Sequence, residues 1–375
     1  MNNPTNIEQR QLDVLSFLRF PLMVGVVFIH TAFSPSTDFF SQYLYNLGSR
    51  ILPHVCVPLF FGISGFFFFY GSRFSIDTYI NKLKRRARTL LLPYVLWISA
   101  WLAFYYALQY SGLLRLEKRV EYDWNHILSA YWDGTQAPGE DLLCPILGQF
   151  WFLRDLMCVI VLSPLIFFGI KKLGILFPML LASAWFFDWQ QLRPLVENGQ
   201  YLRFFTFFSD IGNRGLSLYA VFFFSLGAWF SLKKQRFIDP PEWARKFSFF
   251  LFPALAILEA FLAVQKYAYN PILHRATILA GIPFAINLST ILVEKEIARP
   301  KKFLVPVGFY LYALHTPWLA LVYKRLTTVT ILNSEGAFIV NYLLLPVFAI
   351  LFCCALHAIL NRFTPRLDNM LTGGR

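Results

Sequence analysis

The feature that most limits what this chain can become is a series of apolar runs, each close to the thickness of a bilayer. About 20 apolar residues in a helix cross the ~30 Å hydrocarbon core. Runs of that kind lie at 14–33, 51–71, 88–110, 145–170, 174–189, 214–232, 247–268, 273–293, 303–324 and 336–361. The expected fold is therefore all-α and integral to the membrane: a single bundle of about ten transmembrane helices, one domain over residues 1–375. Composition agrees, because only 15% of residues are charged and mean hydropathy is +0.51. A soluble domain carries about a quarter charged residues. The fifth run is the shortest and ends in Trp185-Phe186-Phe187-Asp188-Trp189. Keeping it leaves the basic segments on one side.

Those basic segments decide orientation. Lys and Arg gather between runs, from Arg73 to Arg88, at Lys171-Lys172, from Lys233 to Lys246 and from Lys295 to Lys302. With the N-terminus inside, inner segments hold 21 Lys and Arg and outer segments 11. This positive-inside bias predicts an N-in, C-in topology. It also explains the net charge of +13 without nucleic acid, since the cations are dispersed along a membrane face. No cleavable signal peptide is evident before the first run, so an uncleaved first helix is expected. Cys56, Cys158, Cys353 and Cys354 sit in apolar runs, and no ligand-spaced Cys/His set points to a metal. There is no H-E-x-x-H, no phosphate-cradling G-x-x-x-x-G-K and no G-x-S-x-G elbow.

Ionisable groups inside a bilayer are costly, so they are where function is sought. The first run carries Arg19 and His30, eleven residues apart. That is close to three helical turns, which puts both on one face with a rise of about 16 Å. An Arg reaching the inner headgroups and a His bonded to a neighbouring helix is the plainer alternative. In the second run Pro58 breaks the helix before Gly62, Ser64 and Gly65. The freed backbone and Ser64 have the means to line a cavity, and tight helix packing is the competing reading. Arg85 and Arg88 share a face at a helix start and suit a multiply charged phosphate ligand, or else anchor the helix on anionic lipid. Trp151, Arg154 and Asp155 open the fourth run at the outer face. Arg154 and Asp155 are adjacent, so they point in different directions and need separate partners. The ninth run holds Tyr312 and His315, and Glu259 lies in the seventh with no partner evident from sequence. His274 and His357 read as structural. The outer loops 111–144 and 190–213, rich in Trp, Tyr and Asp, are candidate parts of an acceptor site.

Taken in order, these segments resemble the acyltransferase-3 family, multispanning bacterial enzymes that O-acylate surface and secreted glycans. The resemblance rests on Arg19 and His30 in the first helix, Pro58-Leu59-Phe60-Phe61 running to Ser64-Gly65-Phe66, and Arg85 and Arg88 before Leu91-Leu92-Pro93-Tyr94. Trp151-Phe152-Leu153-Arg154-Asp155-Leu156 and Tyr312 to His315 complete it. The family's first helix often has Gly after the Arg, where Phe20 stands here. The resemblance implies transfer of an acyl group, acetyl foremost, from cytoplasmic acetyl-CoA or another acyl-CoA to a sugar hydroxyl of a glycan or its lipid-linked precursor. It implies a multi-pass protein of the bacterial inner membrane, with membrane lipids and no nucleic acid as partners, and no metal. His30 and Arg19 are then the catalytic candidates, His30 as general base and Arg19 guiding the pantetheine arm. Arg85, Arg88, Ser64 and Gly65 are candidates for holding the donor, and Trp151, Arg154, Asp155, Tyr312 and His315 for the acceptor. The rival class is a transporter or flippase of a lipid-linked sugar, which predicts paired halves with matching broken helices. No such repeat is visible in the sequence.

Overall fold

The computed structural model describes residues 6–31, 38–71, 74–111, 124–132, 146–187, 216–267, 270–328 and 337–374. Arg73, the ends of several predicted runs, and the outer loops 111–144 and 190–213 apart from Ser111 and 124–132 lie outside them. Among the described residues there is no strand, and every regular element is helical.

The elements follow in chain order as α1 (Asn6–Ile29), α2 (Phe39–Tyr45), α3 (Cys56–Phe69), α4 (Ile76–Arg86) and α5 (Leu92–Ser111). Then come α6 (Trp124–Trp132), α7 (Trp151–Val161), α8 (Ser163–Leu173), α9 (Leu176–Phe186) and α10 (Leu218–Leu232). The last are α11 (Glu242–Val264), α12 (Pro271–Glu294), α13 (Leu304–Leu314), α14 (Ala320–Thr328), α15 (Phe338–Phe363) and α16 (Pro365–Thr372). Several join into single rods: α2 runs into α3 through a wide π-helical turn at Asn46–Ile51 and a tight 3-10 turn at Leu52–Val55, and α4 into α5 through a π-helical turn at Ala87–Leu91. Seven helices or rods are long and apolar enough to cross a membrane. The α7–α8 pair is an eighth candidate, bent by 60°. α9 and α10 are apolar but shorter.

A bend divides the fourth predicted span into α7 and α8. Pro164 stands just after the break, where it has no N–H to continue the ladder. α8 and α9 then form a hairpin about Gly174, whose φ of 62° suits a residue without a side chain. At 11 residues each, they rise only about 16 Å. About ten membrane-entering segments describe the chain, with α9 and α10 short and the α7–α8 pair bent.

Polar contacts at one rim join segments that the cations place together on the inner side. Arg10 at the start of α1 pairs with Asp239 and with Glu294, each at 2.9 Å. All three residues belong to predicted inner segments. On the same side α16 docks against the bundle. Asp368 accepts from Tyr310 Oη at 2.9 Å and lies 3.0 Å from His357 Nδ1, and Trp97 Nε1 donates to Leu371 O. His357 is thus structural, as expected.

The tightest helix pair is α3 with α10. A Cβ on Gly65 would stand 2.0 Å from Phe224 O, and one on Gly227 would stand 1.8 Å from Gly62 O. Glycine here lets two backbones touch, the membrane route to helix association when lipid offers no hydrophobic driving force. Gly65, a candidate for donor binding, therefore faces α10, while Ser64 is only half-buried.

Candidate functional site

The centre of the site is a break in the ninth span. α13 ends at Leu314, and Thr316 is extended at φ −138°, ψ 143°. Pro317, joined to it by a cis peptide, has no N–H to offer the carbonyl of Ala313 four residues back. A buried carbonyl without a donor costs about 1–3 kcal/mol, so another segment has to supply one. Gln149, in the tight turn Gly148–Phe150 before α7, does so: its Nε2 donates to Ala313 O at 3.2 Å and to Thr316 O at 2.6 Å. Tyr312 Oη donates back to Gln149 O at 2.7 Å, and its ring stacks on Phe150 at 5.3 Å and 5°. The break and the turn therefore hold each other.

His315 sits in that break. Its Nδ1 lies 2.9 Å from both Leu311 O and Tyr312 O. Carbonyls only accept, so Nδ1 carries the proton and Nε2 presents a bare lone pair. The residue is 2% exposed, and among the described residues Nε2 has no hydrogen-bond partner. The ring of His30, the first residue beyond α1, lies 5.1 Å from that of His315. His30 is exposed where His315 is buried, so the pair offers one accessible and one enclosed imidazole. Thr31 bonds Ser49 at 3.1 Å, and Ser49 donates to Tyr342 Oη at 3.0 Å. These bonds fix the end of α1 to the turn after α2 and to α15.

A second pair adjoins the first. The rings of His54 and His274 meet edge to face at 5.0 Å, and His274 Nδ1 is 2.7 Å from Glu259 Oε1. His54 lies within electrostatic reach of His30, as does His315. Four of the six histidines in the chain thus converge at one end of the bundle. His274 is satisfied by Glu259, which thereby has its partner, and it also meets His54, a contact the sequence did not indicate. Among the described residues, no group of three or more His, Cys, Asp or Glu side chains has the geometry to hold a metal ion.

The other end is cationic. The guanidinium of Arg19 lies 4.5 Å from the Phe67 ring centre, a cation–π contact of about 0.5–2 kcal/mol. Arg86 is within electrostatic reach of it. Lys82 lies over the Phe68 ring and donates to Phe68 O. Arg85 and Arg88 are exposed, while Arg86 between them is half-buried on the face toward Arg19. Sequence spacing singled out the outward pair and passed over the inward member; its signal was the 100° step between neighbours on a helix.

The outer residues of α7 behave differently from expectation. Arg154 and Asp155 pair with each other as well as finding separate partners. Arg154 Nε and Nη2 both reach Asp155 Oδ1 at 3.1 Å, because a long arginine stem can curl across the angle between adjacent positions. Arg154 Nη1 also donates to Trp132 O at 2.8 Å, and Asp155 accepts from Ser217, the cap of α10. Both are at most 3% exposed, so this pair clamps α6, α7 and α10 together. Trp151 is half-buried against Phe61 and Tyr219, near neither histidine pair in its ring contacts. Of the acceptor candidates, Tyr312 and His315 share one site with His30. Gln149, which sequence reasoning did not single out, belongs to it. A buried amide opposite a proline-broken span was the available sign.

With this geometry described, similarity to known proteins gives it a context. A family model described as an acyltransferase domain matches residues 12–358, which includes every site residue named above. The chain is 27% identical over 382 residues to the succinoglycan biosynthesis protein ExoH of Rhizobium meliloti (strain 1021), covering 96% of this chain and 92% of that protein. No solved structure matches the chain significantly. Because the model spans nearly all of a multi-pass helical bundle, the chain belongs to the acyltransferase-3 family and is a membrane acyltransferase.

Proposed function

We propose that this protein moves a short acyl group, acetyl foremost, from cytoplasmic acyl-CoA to a sugar hydroxyl of a cell-surface or secreted polysaccharide or its lipid-linked precursor, in the bacterial inner membrane. The observation that carries the reading is the accessible imidazole of His30 set against the enclosed imidazole of His315. A thioester is ready for attack, but a sugar hydroxyl is a weak nucleophile until a base removes its proton, and histidine is the usual base. Two imidazoles 5.1 Å apart resist a shared double charge. At an effective dielectric of about 20 their repulsion is ~3 kcal/mol. One of the two thus stays neutral and able to accept a proton. The acceptor hydroxyl approaches the exposed His30, and His315 Nε2 offers it a second acceptor from the buried side.

At the opposite end Arg85 and Arg88 hold the nucleotide phosphates, and Arg86 and Arg19 lead the pantetheine arm inward. The length of α1 between Arg19 and His30, about 16 Å, is of the order such an arm must cover. The polysaccharide acceptor is supported by the relative named for succinoglycan biosynthesis. Purified protein given labelled acetyl-CoA should release free thiol. His30→Ala, with membrane insertion and monodispersity unchanged, should lower that rate by about 10²-fold or more. Transfer at the parental rate would remove His30 from the chemistry. The acceptor is read from which extracellular polysaccharide loses its acyl substituent when the protein is absent.

A further inference from the structure

A proton taken from a hydroxyl inside a bilayer must be held until the thiolate leaves, and the surroundings of His30 hold more ionisable groups than a single base requires. Glu259 sits on α11 between Leu258 and Phe261, which are 46% and 45% exposed on the lipid-facing surface. Its own side chain turns inward and is 12% exposed, with Oε1 on His274 and, among the described residues, no partner for the buried Oε2. An ion pair kept only for packing is commonly replaced by apolar residues at little cost. A carboxylate enclosed near the end of a membrane-spanning helix, with one oxygen unpaired among the described residues, points to a functional path.

We propose that Glu259, His274 and His54 form a proton relay that serves His30, an inference that rests on the acyl-transfer reading above. The links are the Glu259–His274 contact at 2.7 Å, the His274–His54 ring contact at 5.0 Å, and the packing of the Leu52–Val55 turn that carries His54 against the outer half of α1, where a Cβ on Gly25 would meet Pro53 Cβ at 3.8 Å. The acceptor O–H bond breaks and its proton passes to His30, while the oxygen forms its bond to the acyl carbon. His30 passes a proton to the relay, which shares it between the imidazoles and the Glu259 carboxylate. As the carbon–sulfur bond breaks, the proton returns through His30 to the thiolate, forming the S–H of the released thiol. No proton is consumed overall. Glu259 is a positioning and proton-holding residue, since it touches neither acyl group nor hydroxyl.

The test compares wild type, Glu259→Gln, Glu259→Asp and His54→Gln, each confirmed folded by size exclusion, in thiol release from acetyl-CoA with water as the accepting hydroxyl. Glu259→Gln should lower kcat by at least tenfold with KM for acetyl-CoA unchanged, and Glu259→Asp should recover part of the loss. The dependence of rate on deuterium fraction should be bowed in wild type, as for several protons in flight, and straight in Glu259→Gln. A Glu259→Gln enzyme at wild-type kcat, or a slower one that keeps the bowed dependence, overturns the relay. Should wild type release no thiol from acetyl-CoA or succinyl-CoA, the donor reading fails separately, and infrared spectroscopy still decides the relay. The carboxyl stretch of Glu259, identified by its loss in Glu259→Gln, must shift in His54→Gln if these groups share a proton. An unmoved band overturns the inference.

Discussion

Gln149→Leu isolates the bond on which the geometry of the site depends. The side chains are nearly equal in volume, so the substitution opens no large cavity and removes only the donor. Two carbonyls then lose their partner, Ala313 O at 3.2 Å and Thr316 O at 2.6 Å, in a region where Gln149 itself is 4% exposed. At about 1–3 kcal/mol for each buried acceptor left unpaired, the cost is about 2–6 kcal/mol. Pro317 cannot repair the ladder, because it has no N–H to give. Relaxation of the break would move His315, whose Nδ1 is held by the carbonyls of Leu311 and Tyr312 next to it. The variant should therefore lose stability in SDS titration from dodecylmaltoside micelles and lose thiol-release activity by about tenfold, roughly 1.4 kcal/mol of barrier. Gln149→Glu, which presents oxygens to oxygens, should do no better. A Gln149→Leu protein within about 0.5 kcal/mol of wild type, with normal activity, would show that the break stands without this bond.

Gly227→Ala places a methyl group 1.8 Å from Gly62 O, so α3 and α10 must part; overpacking predicts a loss of about 1–3 kcal/mol in the same titration, and no loss would refute the close approach. Arg154→Met leaves Asp155 buried without its cation and should cost about 3–5 kcal/mol, whereas the double variant Arg154→Met/Asp155→Leu should regain much of that loss. Equal cost in single and double variants would contradict the clamp. Replacing Arg85 and Arg88 together with Gln should raise KM for acetyl-CoA at low salt. The gap should narrow as ionic strength approaches about 1 M, where the screening length falls to about 3 Å. A gap indifferent to salt would mean the two cations do not hold phosphate.

The sequence carried the fold class plainly, together with the first and ninth spans that bear His30 and His315. Hydropathy marks the spans because lipid cannot hydrogen-bond the backbone, and the cations orient them. The family motifs then picked out His30, Tyr312 and His315, which do share one site. Reasoning by spacing along one element left partners out. Spacing paired Arg85 with Arg88 and missed Arg86, and it separated Arg154 from Asp155 although a flexible side chain joins them.

The apolar runs and the placement of Lys and Arg determined by themselves that this chain is a helical membrane bundle, because those are properties of a chain meeting a solvent. Which imidazole faces which was settled only by tertiary structure. His30, His54, His274 and His315 are spread over nearly the whole sequence, and no local rule relates them. They meet because α1, α12, α13 and the turn before α3 pack at one end. They stay there because their own segments anchor them: His315 by the carbonyls of Leu311 and Tyr312, His274 by Glu259, and His30 at a helix end tied through Thr31 to Ser49.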